Sequence, residues 1–319
     1  MTDGDKEGAS HKRPVPKAAW LLAAVPLLGL VELGLHAKQT SDVVPDEDWA
    51  AAREAVKAEL RPDDLVLFAP FWTDPIGRQR FGDELVTMKR AAFGDATRFT
   101  RAFEVSIRGG HREEIAGFRK VSERRFGQVT VGIYENPSAR KVLTELVDLV
   151  GPETMSVARV DGDAETPCTF QRGSSAGGTT VVPQGMLVPA AKFVCPGGGH
   201  VGVAVQHALD HKPHLCINAP PLGGATLRVR FSNVTFGSAL HGHDGSQWLT
   251  ERTPSAERVS LALSAFDRPI GEHVHRVGAG WTGFELPTEE LAGKKGELVA
   301  DISGGPGQRY YCFEGDTRE

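Results

Sequence analysis

One apolar segment constrains this chain more than any other feature. Ala18 to Ala37, AAWLLAAVPLLGLVELGLHA, lies near the start of a 319-residue sequence whose four cysteines all fall in its second half. A helix of this length rises about 30 Å, the thickness of a bilayer's hydrocarbon core. His11, Lys12, Arg13 and Lys17 precede the segment, and Lys38 followed by Asp42, Asp46, Glu47 and Asp48 succeeds it. That charge asymmetry makes residues 1–17 a cytoplasmic tail and sends the rest across the membrane. The expectation is one N-terminal transmembrane helix over residues 18–37, single-pass in the inner membrane, with the C-terminal domains in the periplasm.

Two residues keep other readings open. Glu32 lies near the end of the run, where its carboxylate can snorkel to the interface, and Pro26 is tolerable in a membrane helix. The uninterrupted stretch Ala18 to Val31 also reads as a signal-peptide core, although Ala37 and Gly34 offer poor cleavage sites, with Leu35 and Glu32 at −3. A buried helix is the third reading.

The remainder has the composition of a folded ectodomain: 40% hydrophobic and 24% charged residues. A net charge of −5, with no basic cluster interleaved with aromatics, excludes a nucleic-acid partner. Abundant Ala, Gly, Arg and Val with only 4 Met and 3 Tyr matches a GC-rich bacterial genome. Cys168, Cys195, Cys216 and Cys312 contain no CxxC and match no zinc spacing, so in an exported chain they read as two disulfides. Cys195 and Cys216 flank a strand–turn–strand stretch, which favours Cys195–Cys216 and leaves Cys168–Cys312.

Residues 45–155 read as an α/β domain. Acids at Asp46 to Asp48 open a helix with Trp49, Ala52, Val56 and Leu60 on one stripe, and Leu65 to Ala69 is a buried strand. Helices near 76–93, 112–121 and 138–150 alternate with strands at 102–107 and 128–134, which predicts a mainly parallel sheet. Ligands bind outside the carboxyl ends of such strands, making Trp72, Asp74, Arg78 and His111 candidate ligand-binding residues. The alternative is structural: Trp72 caps the core and Asp74 caps the next helix. No phosphate-binding glycine motif occurs.

Residues 156–184, with Asp161-Gly162-Asp163, Gly173-Ser174-Ser175 and Gly177-Gly178, read as a linker or long loop. Over residues 185–319 the period becomes two, as at 225–231, 258–263 and 296–302, predicting an antiparallel β-sandwich of about eight strands. In that domain the histidine pairs read first as exposed loop residues; His241, His243, Asp244 and Trp248 are nonetheless candidate ligand-binding residues, with His241, Asp244 and Trp248 as a polar sugar-binding rim. A metal is not expected; zinc would need the strands carrying His241 and His243 to neighbour those carrying His273 and His275. Trp281 reads as core because Phe284 and Leu286 follow it.

The stretches 216–220, 226–231, Gly280-Trp281-Thr282-Gly283-Phe284 and Arg309-Tyr310-Tyr311-Cys312-Phe313 resemble a jelly-roll, galactose-binding-like module. Together with Asp63-Asp64-Leu65-Val66-Leu67-Phe68-Ala69-Pro70, the arrangement is similar to the extracytoplasmic soluble region of some bacterial multi-pass membrane glycosyltransferases. The resemblance implies an envelope-glycan context; the catalytic membrane portion has no counterpart in this sequence. No nucleophile elbow, HExxH or Cys/His pattern appears, and no cofactor is implied. The expected function is therefore non-catalytic recognition of a glycan or an envelope protein. The alternative is an enzyme, or enzyme accessory, acting on envelope saccharides at the α/β strand ends.

Overall fold

The computed structural model describes residues 17–41, 43–173, 179–181, 187–189, 191–253, 256–305 and 310–319. The basic tail over 1–16, most of the glycine-rich stretch at 174–178 and the turn at 306–307 lie outside the described residues. Helix α1 (Lys17–Ser41) carries the apolar segment, and its side chains from Ala24 to Lys38 are exposed. Leu27, Leu30 and Leu33 are 63–66% exposed. Among the described residues no helix is long and apolar enough to cross a membrane. The expected transmembrane helix over residues 18–37 includes residues 18–23, whose side chains lie outside the described ones, and it is not shown.

The first unit begins as its sequence dictates. Helix α2 (Asp46–Glu59) buries Trp49, Ala52 and Val56 along one stripe. Strand β1 (Asp64–Ala69) is buried along its whole length: Val66 and Phe68 pack with the α2 stripe, while Leu65 and Leu67 join Phe99, Ile115 and Tyr134. Then come helices α3 (Asp74–Phe81) and α4 (Met88–Ala91) and strands β2 (Arg101–Ile107), β3 (Arg119–Phe126) and β4 (Val129–Glu135). The sheet order is β1-β2-β4-β3, and only β1 and β2 are parallel.

The expected mainly parallel sheet is therefore corrected, for two reasons. Where a helix was expected over 112–121, a single 3-10 turn leads into β3, which turns back at Gly127-Gln128 to pair with β4. Its sequence RKVSERRF is almost wholly exposed, a charged edge strand rather than a helix face. The 76–93 helix is broken at Gly82, and 138–150 holds β5 (Val142–Glu145) and a 3-10 turn, because pairing with the last strand overrides helical propensity.

The strands that follow are β6 (Met155–Asp161), β7 (Ala164–Pro167), β8 (Thr169–Gln171), β9 (Thr179–Val181), β10 (Leu187–Pro189), β11 (Lys192–Val194), β12 (His200–His207) and β13 (Pro213–Asn218). After β14 (Thr226–Thr235) and β15 (Ala239–Gly245) comes the one-turn helix α5 (Trp248–Glu251). The chain ends with β16 (Arg258–Ala265), β17 (Arg268–Arg276), β18 (Thr282–Pro287), β19 (Lys295–Gly304) and β20 (Cys312–Arg318). One antiparallel sheet runs β18-β15-β20-β13-β12-β11-β8, with β5 also on β20; the other runs β17-β16-β19-β14-β6-β7. Alternating residues such as Leu227, Val229 and Phe231 from one sheet and Ile217, Leu240 and Phe313 from the other fill the core of this β-sandwich. The stretch expected as a linker thus supplies β6, β7 and β8, β6 pairing with β14 along six residues.

Two disulfides form, but with the other partners: Cys168–Cys195 and Cys216–Cys312. The expected Cys195–Cys216 pairing fails because β12 lies between β11 and β13. Thr169 instead pairs with Val194, and Asn218 with Cys312, which brings the observed partners to Cα separations of 4.2 and 5.8 Å.

Candidate functional site

A cleft of about 450 Å³ opens between the first unit and the sandwich. One wall is the segment after β1 with the loop before β2; the other is the start of β13, with His243 of β15 and the Trp281 turn before β18. The units are pinned around it. Leu215 N donates to Ala92 O at 2.9 Å, and the buried guanidinium of Arg318 reaches Asp95 and Thr97 across the boundary. Four carboxylates (Asp74, Asp95, Glu114, Asp210) and four cations (Arg78, Arg90, Arg112, Lys212) line the cleft.

Of the expected residues, the cleft gathers Asp74, Arg78 and His243. Asp74 receives Arg78 at 2.6 Å and faces Arg112 at 3.7 Å, and burial raises its carboxyl pKa despite both cations. Glu114 is half-buried, which opposes its charge, yet hydrogen bonds from Arg112 and Lys212 pull it down to about 2. Trp72 turns away, 54% exposed, with Arg108 5.9 Å over its ring. Its neighbour Phe71 faces the cleft instead, between Arg112 at 5.0 Å and Lys212 at 5.7 Å. His111 lies outside the cleft lining and binds Glu104 at 2.9 Å; Trp248 lies against His211 and Arg252.

Strand alternation decides the fate of the histidine pairs. On β15, His241 and His243 face outward toward the first unit, whereas Asp244 points into the sandwich. His273 and His275 lie on β17 in the opposite sheet and reach Asp244 from inside, at 3.1 and 3.2 Å. The four imidazoles therefore do not meet, and the rim of His241, Asp244 and Trp248 does not exist.

The inward cluster is closed and complete. Asp244 also accepts from Thr282 Oγ1 and Tyr311 Oη at 3.0 and 2.8 Å. His275 donates to Asp244 and, at 2.7 Å, to Glu251, which further accepts from three backbone N–H groups. Burial opposes the charges, but these bonds raise His275 to about 9 and hold Asp244 at about 2.

The outward cluster is incomplete. His243 Nδ1 meets Glu314 at 2.6 Å. Burial alone would lower the histidine, but the carboxylate pairing raises it, and burial also raises Glu314. His241 is lowered by burial and by Arg318, and its Nδ1 is buried without a hydrogen-bond partner. His214 stacks on Trp281 with ring centroids 4.3 Å apart; burial lowers its pKa. His214 Nδ1, Trp281 Nε1 and Arg78 Nε are likewise buried and unpartnered among the described residues. Trp281, expected in the core, is on the cleft wall.

The sequence reading missed Asp95, Arg112, Glu114, Lys212, His214 and Glu314. Arg112 and Glu114 lie one and three residues after His111, in the same loop signal; the others are set by long-range packing that no local pattern announces.

No family model matches the chain, and no curated protein is similar to it. Solved structures give distant likenesses. One is CBM51 from Clostridium perfringens GH95 in complex with methyl-galactose, at 12% identity over 55% of this chain and 99% of that chain, TM-score 0.28. Another is CBM51-2 with GlcNAc and INT domains from Clostridium perfringens ZmpB, at 10% identity over 60% and 44%, TM-score 0.26. A third is the xylan-binding module CBM15, at 6% identity over 55% and 95%, TM-score 0.24. Likenesses this distant leave ligand and activity open.

Proposed function

We propose that this protein recognises a neutral, hydroxyl-rich ligand of the saccharide class in the cleft between its first unit and its sandwich, without catalysis. The carrying observation is the set of buried, unpartnered donors and acceptors on the cleft side: His214 Nδ1, Trp281 Nε1 and Arg78 Nε. Buried polar atoms without partners cost about 1–3 kcal/mol each, a cost that ligand hydroxyls remove. The lining charges balance, which selects against a strongly charged ligand, and the volume lies in the range of small-molecule sites. A glycan array probed with the purified chain tests this. Binding to one saccharide class, weakened at least about tenfold by Trp281→Ala, is expected, since tenfold corresponds to one lost hydrogen bond. Binding to no glycan, or binding indifferent to Trp281→Ala and His214→Ala, overturns it; capture of an envelope protein instead would point to the protein-partner alternative.

One observation favours a second reading, an enzyme acting on saccharides. Asp74 is raised and Glu114 lowered to about 2 within one cleft, the divergence that separates a proton donor from an acceptor. Turnover of a bound glycan that stops in Asp74→Asn while binding persists would establish it.

The setting belongs to the same proposal: an exported chain held in the inner membrane by α1, its jelly-roll-like sandwich in the periplasm beside envelope glycans. Two disulfides support an oxidising compartment. The exposed leucines of α1 support an apolar environment around it. Protease added to spheroplasts should digest the ectodomain; protection would place it on the other side.

A further inference from the structure

The geometry points to a divalent transition-metal site at one end of the cleft, held by Asp95, His241 and His243, with Glu314 supporting His243 from behind. Zinc suits this donor set, two imidazoles and a carboxylate: three protein ligands and one open position.

The placement follows from the fold. Alternation along β15 puts both imidazoles on its outer face, their rings 5.0 Å apart. The loop before β2 lays Asp95 against them. Gly94 leaves room for that approach: a Cβ there would meet the Glu314 carboxylate and lie 2.8 Å from His243 Nδ1. One ligand atom from each of Asp95, His241 and His243 falls within 4.8 Å of the other two. Asp95 Oδ2 and His241 Nδ1 are 3.4 Å apart, yet no hydrogen bond joins them. Ligand atoms about 2.1 Å from a tetrahedral zinc stand about 3.4 Å from one another, so this edge of the tetrahedron is already formed.

The supporting shell is equally specific. Glu314 accepts from His243 Nδ1, the carboxylate–imidazole arrangement that fixes the tautomer of a metal-binding histidine and leaves Nε2 as its lone-pair nitrogen. Thr97 N donates to Asp95 Oδ1 at 2.6 Å and Arg318 donates to Oδ2 at 2.9 Å, so the carboxylate is fixed in place. Arg318 would repel a cation, but Asp316 pairs with the same guanidinium at 2.5 and 3.0 Å and offsets its charge. Asp95 and His243 also line the cleft, so the open position is on the cleft side, where water or a ligand hydroxyl completes the shell. The inference stands whatever fills the rest of the cleft.

The test uses the full chain, stripped with a chelator, dialysed and titrated with zinc alone by calorimetry. One equivalent should bind. His241→Ala and His243→Ala should each abolish stoichiometric binding, and Glu314→Gln should weaken it about 10–100-fold with stoichiometry kept. His273→Ala, at the imidazole inside the sandwich, should leave it unchanged. X-ray absorption of the zinc-loaded wild-type chain needs no variant and should show two imidazoles, light oxygen ligands and no sulfur. Failure of the wild-type chain to bind zinc stoichiometrically, binding that survives both His241→Ala and His243→Ala, or a zinc shell without two imidazoles would each overturn the site.

Discussion

His243 and Asp244 are adjacent on β15, yet they belong to polar clusters of opposite character. Asp244 faces inward, fully buried, among four side-chain donors that satisfy both of its oxygens. His243 faces outward into a cluster whose neighbour His241 has a buried nitrogen with no partner. The residue types are the same, histidines and carboxylates. Satisfaction separates them: a closed network holds two sheets together, whereas an open one has capacity left for a ligand. Residue type alone therefore does not identify a site; the balance of donors and acceptors does.

The strongest way to disturb both faces at once is to cut the Cys216–Cys312 bond, because Tyr311, just before β20, serves the inner cluster and Glu314 on β20 the outer. Its 96-residue separation predicts about 4.7 kcal/mol from loop entropy, against about 3.6 kcal/mol for the 27-residue separation of Cys168–Cys195. Denaturant unfolding of the two Cys→Ser double variants should show that order, and zinc binding should suffer only in the first. The reverse order would mean that native-state strain, not loop entropy, governs the two bonds.

Asp244→Ala attacks the inner cluster alone. It leaves His273, His275, Thr282 and Tyr311 without their acceptor, and breaking a buried ion pair from one side costs roughly 3–5 kcal/mol. The variant should unfold at far lower denaturant. A loss below about 1 kcal/mol would show the inner cluster to be as loosely satisfied as the outer.

The same network predicts a pH signature. His275 is raised to about 9 by Asp244 and Glu251, so its stabilisation is complete below its unfolded pKa near 6.5 and is lost as pH rises through 9. The loss is on the order of 3 kcal/mol, because each pKa unit is worth about 1.4 kcal/mol. Asp244, held at about 2, carries the acid limb: its stabilisation is present above about pH 4 and fades toward 2. These are two ends of one interaction and are not to be summed. Urea melts across pH should peak between about 4 and 6.5, and His275→Gln should flatten the alkaline side; an unchanged alkaline slope would assign it elsewhere.

Much of this molecule was legible in its sequence, and the lost parts share a cause. The stripe Trp49-Ala52-Val56 gave α2, and the apolar run at Leu65 gave β1, because both signals are local. Period-two alternation gave β14, β16 and β19 for the same reason. The disulfide pairing failed because β12 intervenes between Cys195 and Cys216, a matter of strand order. Asp74, Arg78 and His243 were found as chemistry in loops and on a strand, but Glu314, Asp95 and His214 meet them only through the packing of the two units. His241 and His243 are legible as a pair, but their partners are not, since alternation fixes which residues share a face and says nothing about what covers it.

The smallest expected effect is the most discriminating. His241 occupies a largely buried position, 16% exposed at its side chain, but its Nδ1 makes no hydrogen bond, so His241→Ala removes an unsatisfied group along with some packing. The two contributions oppose, and the variant should lose less than about 1 kcal/mol in denaturant unfolding of the metal-free chain. Three residues from Asp244 on the same strand, the same kind of truncation thus has several-fold less effect on folding. Zinc should reverse the order: added at saturation it stabilises the wild-type chain by mass action, and gives His241→Ala nothing. A large loss in the metal-free His241→Ala variant would mean that the outward histidines serve the fold as the inward ones do, and the contrast between the two faces of β15 would disappear.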